Sequence, residues 1–184
     1  MKKIGFALII ILLSASVFAQ TKTERKAAKK AKKEARLKED LANAEILIAI
    51  VESKRFVLEA NTLYDRSGQS FNLSSNLNFV GFDGENSTIQ LGFQQLVGWN
   101  GVGGVTVDGK ISQMEIKRKE GSPTFSVDAR VHNKGGSLVT MIFRISSNGS
   151  ARVDMSGSFG ERLSFQGNIV PLINTSVYKG APTF

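Results

Sequence analysis

The chain has 184 residues, with 24 Lys/Arg, 16 Asp/Glu, one histidine and no cysteine. That length supports one domain with a sizeable core. The missing cysteine excludes disulfides, thiolate metal sites, thiol nucleophiles and the lipid anchor of a bacterial lipoprotein.

Lys2 and Lys3 precede an apolar run from Ile4 to Leu13, and small and polar residues then lead to Val17-Phe18-Ala19. That order is the charge, apolar core and small-residue exit of a secretory signal peptide over residues 1–19, with cleavage expected between Ala19 and Gln20. The run is about half the roughly twenty apolar residues a membrane helix needs. No later stretch approaches that length, so the expectation is a periplasmic or secreted protein without a transmembrane anchor.

Residues 20–54 read as a charged helical arm. Ala, Lys, Glu, Leu and Arg dominate residues 22–54, and neither Gly nor Pro appears there. Leu37, Leu41, Ala44, Ile48 and Val51 recur at spacings of four and three, which places them on one face. The first half has no such stripe and predicts a solvated helix from about Glu24. The second half predicts a docked helix from Leu37 to Ser53, and its stripe, with Leu37, Leu41 and Ile48, is also a candidate seam for a homo-oligomer. The arm holds most of the net charge of +8: nine Lys/Arg and four acids lie within residues 22–40, whereas residues 41–184 hold thirteen Lys/Arg and twelve acids. The body is therefore nearly neutral, and nucleic acid is not an expected partner. The arm lacks the large apolar residues that would seat it in a lipid surface, so it reads as a spacer or interaction handle.

Residues 55–171 change character. Short alternating runs separated by Gly-, Asn- and Asp-containing turns predict an antiparallel β domain of about eight to ten strands, either a sandwich or a partly closed barrel, with the helix packed on it. Arg55–Ala60 is the first strand. Residues 70–82 alternate throughout and read as one strand, with Phe71, Leu73, Leu77 and Phe79 inward. Asp83-Gly84 turns the chain into Thr88–Gln95. Val105, Val107 and Ile111 begin a strand whose phase slips by one before Met114 and Ile116, and Gly109 is the expected bulge. Phe125, Val127, Ala129 and Val131 alternate. Leu138–Ile145 is apolar on both faces and predicts a central strand covered on both sides. Asn148-Gly149 predicts a type I′ hairpin, with Ala151, Val153 and Met155 returning. Leu163, Phe165, Gly167 and Ile169 form the last strand, and residues 172–184 are a tail with weak signals.

Chemistry is sparse. A Ser-His-Asp arrangement needs a histidine oriented by a carboxylate. His132 stands on the polar face of its strand with Asp128, and strand rise separates the two by about 13 Å. A hydrolase centred on His132 is thus the weakest reading, and a solvated strand face the stronger one. Metal sites want clustered His, Cys or alternating acids, which the chain lacks, and no catalytic residue, metal or cofactor is expected. Gly98-Trp99-Asn100-Gly101-Val102-Gly103-Gly104 is followed by a strand, not by the helix that a dinucleotide fingerprint requires, so its glycines read as turn or close-approach positions.

Missing charge is the subtler feature. Residues 67–82 and 86–107 contain no Asp, Glu, Lys or Arg. A face carrying Asn72, Asn76, Asn78, Gln90 and Gln94, with Trp99 nearby, suits hydrogen bonding to glycan hydroxyls or peptide backbone. It equally suits burial under the arm or a loop, where charges are costly and amides can be satisfied.

Phe56-Val57-Leu58-Glu59-Ala60, Ser75-Asn76-Leu77-Asn78-Phe79 and Gly101-Val102-Gly103-Gly104-Val105-Thr106-Val107 with Gly109 resemble a family of uncharacterised exported bacterial proteins known as domain of unknown function 4251. The resemblance covers about residues 25–170. It implies a Gram-negative, periplasmic setting and no activity, so no catalytic residue carries over. The resulting expectation is an exported non-enzymatic β domain with an envelope-associated structural or binding role. The alternative is a glycan- or peptide-binding module using the 70–95 hairpin face.

Overall fold

The computed structural model describes residues 2–92, 101–157 and 162–183, with side chains from residue 22 onward. Residues 1–39 form one compact unit and residues 40–184 a second. Helix α1 spans Lys2–Glu52 and runs unbroken through Ala19 and Gln20. Every side chain from residue 22 to 39 is exposed, as expected of a segment with Ala as its only regular apolar residue. Lys30 and Glu34 form an i,i+4 pair at 3.9 Å. Among the described residues, no helix is long and apolar enough to cross a membrane.

The second unit begins with the end of α1. Ala44, Leu47 and Val51 are buried, and Leu47 and Val51 join the barrel core with Ile48 and Ile50 against it. Ala44, Ile48 and Val51 of the stripe read in the sequence thus lie on the docked face, with Leu47 and Ile50 added to it. Leu37 is 44% exposed, whereas Ile48 and Val51 pack against the barrel core. The helix exits through Lys54, whose φ of 52° is the left-handed conformation common just past a helix end. The Lys54 carbonyl then accepts from the Gly84 amide at 2.9 Å, and its Nζ reaches Glu85 Oε1 at 2.8 Å.

Among the described residues nine strands follow: β1 Arg55–Tyr64, β2 Ser70–Asn72, β3 Phe79–Asp83, β4 Asn86–Leu91, β5 Val105–Arg118, β6 Thr124–Asn133, β7 Leu138–Ser146, β8 Ser150–Ser156 and β9 Leu163–Pro171. All pairings are antiparallel, and β9 returns to β1 from Phe56↔Pro171 to Tyr64↔Ser164. This pairing closes eight strands into a barrel, with β2 as an extra strand on the far half of β1. Phe56, Leu58, Val80, Phe82, Phe143 and Phe165 fill the interior. The Phe56 and Phe82 rings stack at 4.8 Å between centroids, and Phe143 meets both edge-on.

Several local readings are corrected. Residues 70–82 are not one strand: the amides of Leu77 and Asn78 both donate to Ser74 O, and this turn separates β2 from β3. Val80 and Phe82 therefore face the interior, while Phe79 faces outward. The phase slip in β5 falls between Ile111 and Gln113, not at Gly109; Gly109 instead keeps the ladder close to β6, where a Cβ would lie 2.6 Å from His132 O. The outer face of β7 is open, with Leu138 and Ile142 exposed. The Asn148-Gly149 hairpin forms, but only Gly149 has positive φ. The Gly149 amide donates to Ser146 O, a three-residue loop ending in a left-handed glycine rather than a type I′ turn.

Gly167 sits in the seam that closes the barrel, opposite Ala60 on β1 and Ala151 on β8. A Cβ there would lie 1.9 Å from Glu59 O. Because that obstacle is backbone in a closed ladder, Gly167→Ala is expected to lower stability by about 3 kcal/mol. Gly81→Ala, where a Cβ meets nothing nearer than 3.5 Å, is expected to stay within about 1 kcal/mol of the parent. Urea unfolding midpoints of the two variants check this contrast.

Candidate functional site

Side chains fill the barrel interior, and a groove lies on its outer wall. Along β1 and β3, Val57, Phe79 and Gly81 alternate with the interior residues and so point outward. They form the floor of a groove of about 630 Å³, walled on one side by Leu172 of a short 3₁₀ turn (Leu172–Asn174), Val177 and Lys179. Its polar end comes from β4, β5 and β6: Thr88, Asp108, Lys110 and His132, with Asn133 and Lys134 just beyond. The antiparallel register brings these together by pairing Thr88 with Asp108 and Lys110 with His132.

Asp108 is the electrostatic centre of that end. Lys179 Nζ lies 2.7 Å and Lys134 Nζ 3.7 Å from its carboxylate, and Thr88 Oγ1 donates to it at 2.8 Å. Burial pushes its pKa up, but the Lys179 hydrogen bond, the Thr88 hydroxyl and the two lysine charges outweigh this and hold it below the ordinary value.

The groove wall containing Val177 and Lys179 belongs to an extended tail, residues 175–183, that crosses the outer wall from β1 to β5. Thr175 Oγ1 donates to Glu59 Oε1 at 2.7 Å. The Tyr178 amide donates to Asn76 O and the Thr183 amide to Thr106 O, both at 2.8 Å. At the centre lies Gln90, wholly buried. Its Nε2 donates to Tyr178 O (2.8 Å) and Leu77 O (2.9 Å), and its Oε1 accepts from the Gly180 amide (2.8 Å) and Thr106 Oγ1 (2.9 Å).

The amide residues singled out in the sequence therefore do not make one open face. Asn78 is buried, donating Nδ2 to Ser74 O at 2.9 Å and accepting from the Gly92 amide at 2.8 Å. Gln90 lies beneath the tail. Asn72 and Asn76 are exposed, Asn72 at the end of β2 and Asn76 in the turn, where its Oδ1 accepts from Ser74 Oγ. Gln94 and Trp99 lie outside the described residues. His132 stands on the groove rim across from Lys110, while Asp128 is paired with Lys117 at 2.6 Å, so the two are not partners. Among the described residues, no group of three His, Asp or Glu is placed to hold a metal.

The tail and its Asp108–Lys179 pair were missed by sequence reasoning. The charge-free stretches were the available signal: they marked a covered surface without saying what covers it.

A second polar cluster lies elsewhere on the barrel wall, on β7, β8 and β9. Asp154 takes Arg144 at 2.5 Å and Arg152 at 3.4 Å, and accepts from Ser164 Oγ. Burial raises its pKa, and the Ser164 and Arg144 contacts lower it by more. Arg152 also covers the Tyr64 ring at 4.5 Å. These groups satisfy one another and read as a brace across the strands.

The fold and groove define an antiparallel closed-barrel domain with an N-terminal helix. The chain belongs to the family described as domain of unknown function (DUF4251), whose model matches residues 38–169. It is similar to a solved DUF4251 family protein from Bacteroides eggerthii DSM 20697, with 26% identity over 76% of this chain and 94% of that one and a TM-score of 0.61. No curated protein matches the chain.

The lowered Asp108 pKa carries a sign. A depressed folded-state value stabilises the fold above the ordinary aspartate value of about 3.9, and that contribution is lost as pH falls through the lowered value. Amide protection of Tyr178–Thr183 in hydrogen exchange, corrected for intrinsic rates, is therefore expected to drop below about pH 4. In Asp108→Asn it is expected to be low already at neutral pH.

Proposed function

We propose that the protein is exported and works in the periplasm or outside the cell as a non-enzymatic binding component of the envelope, with the outer groove as its ligand site. The observation that carries the binding half is the groove itself: apolar side chains on its floor, and Asp108, Lys110 and His132 converging at one end. A concave apolar surface with a few converging polar groups is the usual form of a binding site. The export half rests on the Lys2-Lys3 start, the short apolar run and the Ala19-Gln20 exit. The DUF4251 membership adds no reaction to this reading.

Two measurements test the halves separately. A reporter active only outside the cytoplasm, fused after residue 54, is expected to be active with residues 1–19 present and silent without them; equal activity in both overturns export. The probe 1-anilinonaphthalene-8-sulfonate, with apolar rings and one anionic end, is expected to bind the full chain saturably with one-to-one stoichiometry. Gly81→Phe, which fills the groove from its floor, is expected to weaken that binding by about tenfold while the far-ultraviolet circular dichroism is unchanged. Probe binding that never saturates, or that ignores Gly81→Phe, overturns the groove as a ligand site.

A further inference from the structure

We infer that the groove and the surface under the tail together form a peptide-docking site, and that residues 175–183 are its exchangeable occupant in cis. This deepens the groove reading and rests on it. The ligand class is an extended peptide with the pattern apolar, any residue, Lys or Arg, then Gly.

The contacts holding the tail are mostly to its main chain. Gln90 takes the C=O of Tyr178 and the N–H of Gly180 with the two ends of one side-chain amide. Asn76 O and Thr106 O take the amides of Tyr178 and Thr183. A buried side-chain amide that reads C=O of one residue and N–H two residues on treats the tail as a neighbouring strand would, without reading its side chains. Buried Gln90 is costly unless those groups are matched, so the wall calls for an extended backbone at this place.

Side-chain selection falls on positions 177, 179 and 180. Val177 and Lys179 line the groove, while Tyr178 between them is 64% exposed. Lys179 meets Asp108, which sets the basic position. Gly180 is buried, which sets the small one. Val177 is small beside a groove of about 630 Å³, and space remains beyond it. A larger apolar side chain at that position has this volume to enter, above a floor of buried Phe79 and Val57. The native tail therefore matches the backbone and charge requirements of the site while leaving its apolar part underused. That is the property expected of an occupant that a better-matched segment can replace.

The test uses the full chain and two variants that loosen the tail without altering the barrel residues beneath it. Gly180→Pro removes the donor to Gln90 Oε1, and Lys179→Glu opposes Asp108. The probe is a fluorescein-labelled synthetic peptide of residues 175–184. The native chain is expected to bind it weakly, because its own tail competes at an effective concentration on the order of millimolar. Gly180→Pro and Lys179→Glu chains are expected to bind it at least about tenfold more tightly. A peptide carrying Val177→Phe is expected to bind a further several-fold more tightly, roughly as its added apolar area dictates, and to displace 1-anilinonaphthalene-8-sulfonate. One carrying Lys179→Glu is expected to lose about tenfold.

If the native chain binds the sulfonate probe one-to-one but the loosened chains bind no peptide up to 1 mM (on the order of the competing effective concentration), the peptide inference is overturned and the groove reading stands. A tail that keeps its hydrogen-exchange protection in both variants is a fixed part of the wall, and also overturns the inference. A concentration-dependent dimer of the native chain that dissociates on adding the peptide supports it, with a second copy's tail as the occupant. Loss of sulfonate binding in the native chain overturns the groove reading itself.

Discussion

Everything on this molecule's outer wall follows from the pairing of β1 with β9. Without that pairing the sheet has two open edges, a hazard that closure removes. Small residues make the approach possible: Ala60, Gly167 and Ala151 lie in one row across β1, β9 and β8. The register of β1 against β9 shifts between Ala60 and Thr62, adding the local bend a closing strand needs. The same strand pairs with β3 through Arg55–Glu59 and with β2 through Thr62–Tyr64. β1 thus carries both the closure and the branch point from which the extra strand departs.

Closure has a chemical consequence. The interior of an eight-stranded barrel is just wide enough for its own side chains, and here phenylalanines take the space. The void bounded by Ile89, Met155 and Phe165 is about 50 Å³, too small for an organic ligand. Val51 and Leu47 of α1 join the same core. The part of the outer wall that departs most from an ordinary solvated surface is the one crossed by residues 175–183. The far wall is the contrast: Arg144, Arg152 and Asp154 form the charged, mutually paired surface expected of strands that face water.

Much of the β domain was legible because period-2 alternation reports directly on which residues face the core. Phe125, Val127, Ala129 and Val131 are all buried, as are Ala151, Val153 and Met155. The errors arose where alternation is satisfied by something other than a strand in the barrel. Residues 70–82 alternate, yet the run contains a turn closed by Asn78, whose side chain bonds Ser74 O, and such local side-chain capping leaves no mark on an apolar count. Leu138–Ile145 looked doubly buried because Leu138 and Ile142 are apolar, but exposed apolar residues are common and carry little information. Of the candidate site, the burial of Gln90 was legible as one of two readings of the charge-free stretch. The groove was not, because its wall is a tail without periodicity, brought to Asp108 by contacts from Lys179 that span 71 positions in sequence.

Competition in cis constrains what the groove can do. A tail tethered beside its site is present at an effective concentration on the order of millimolar, so an incoming segment gains nothing merely by repeating the tail's main-chain bonds. It must add free energy where the tail adds none. Gln90, Asn76 and Thr106 offer no such margin, since each is already matched by a backbone group of the tail. Asp108 offers little, being held by Lys179, Lys134 and Thr88 together. What remains is the groove volume of about 630 Å³ that Val177 leaves unfilled, where a larger apolar side chain takes its own surface out of water at roughly 25 cal/mol per Å². In such a site the hydrogen-bonded strap supplies register, Asp108 sets the basic position, and the apolar side chain that enters the groove supplies the margin over the tail.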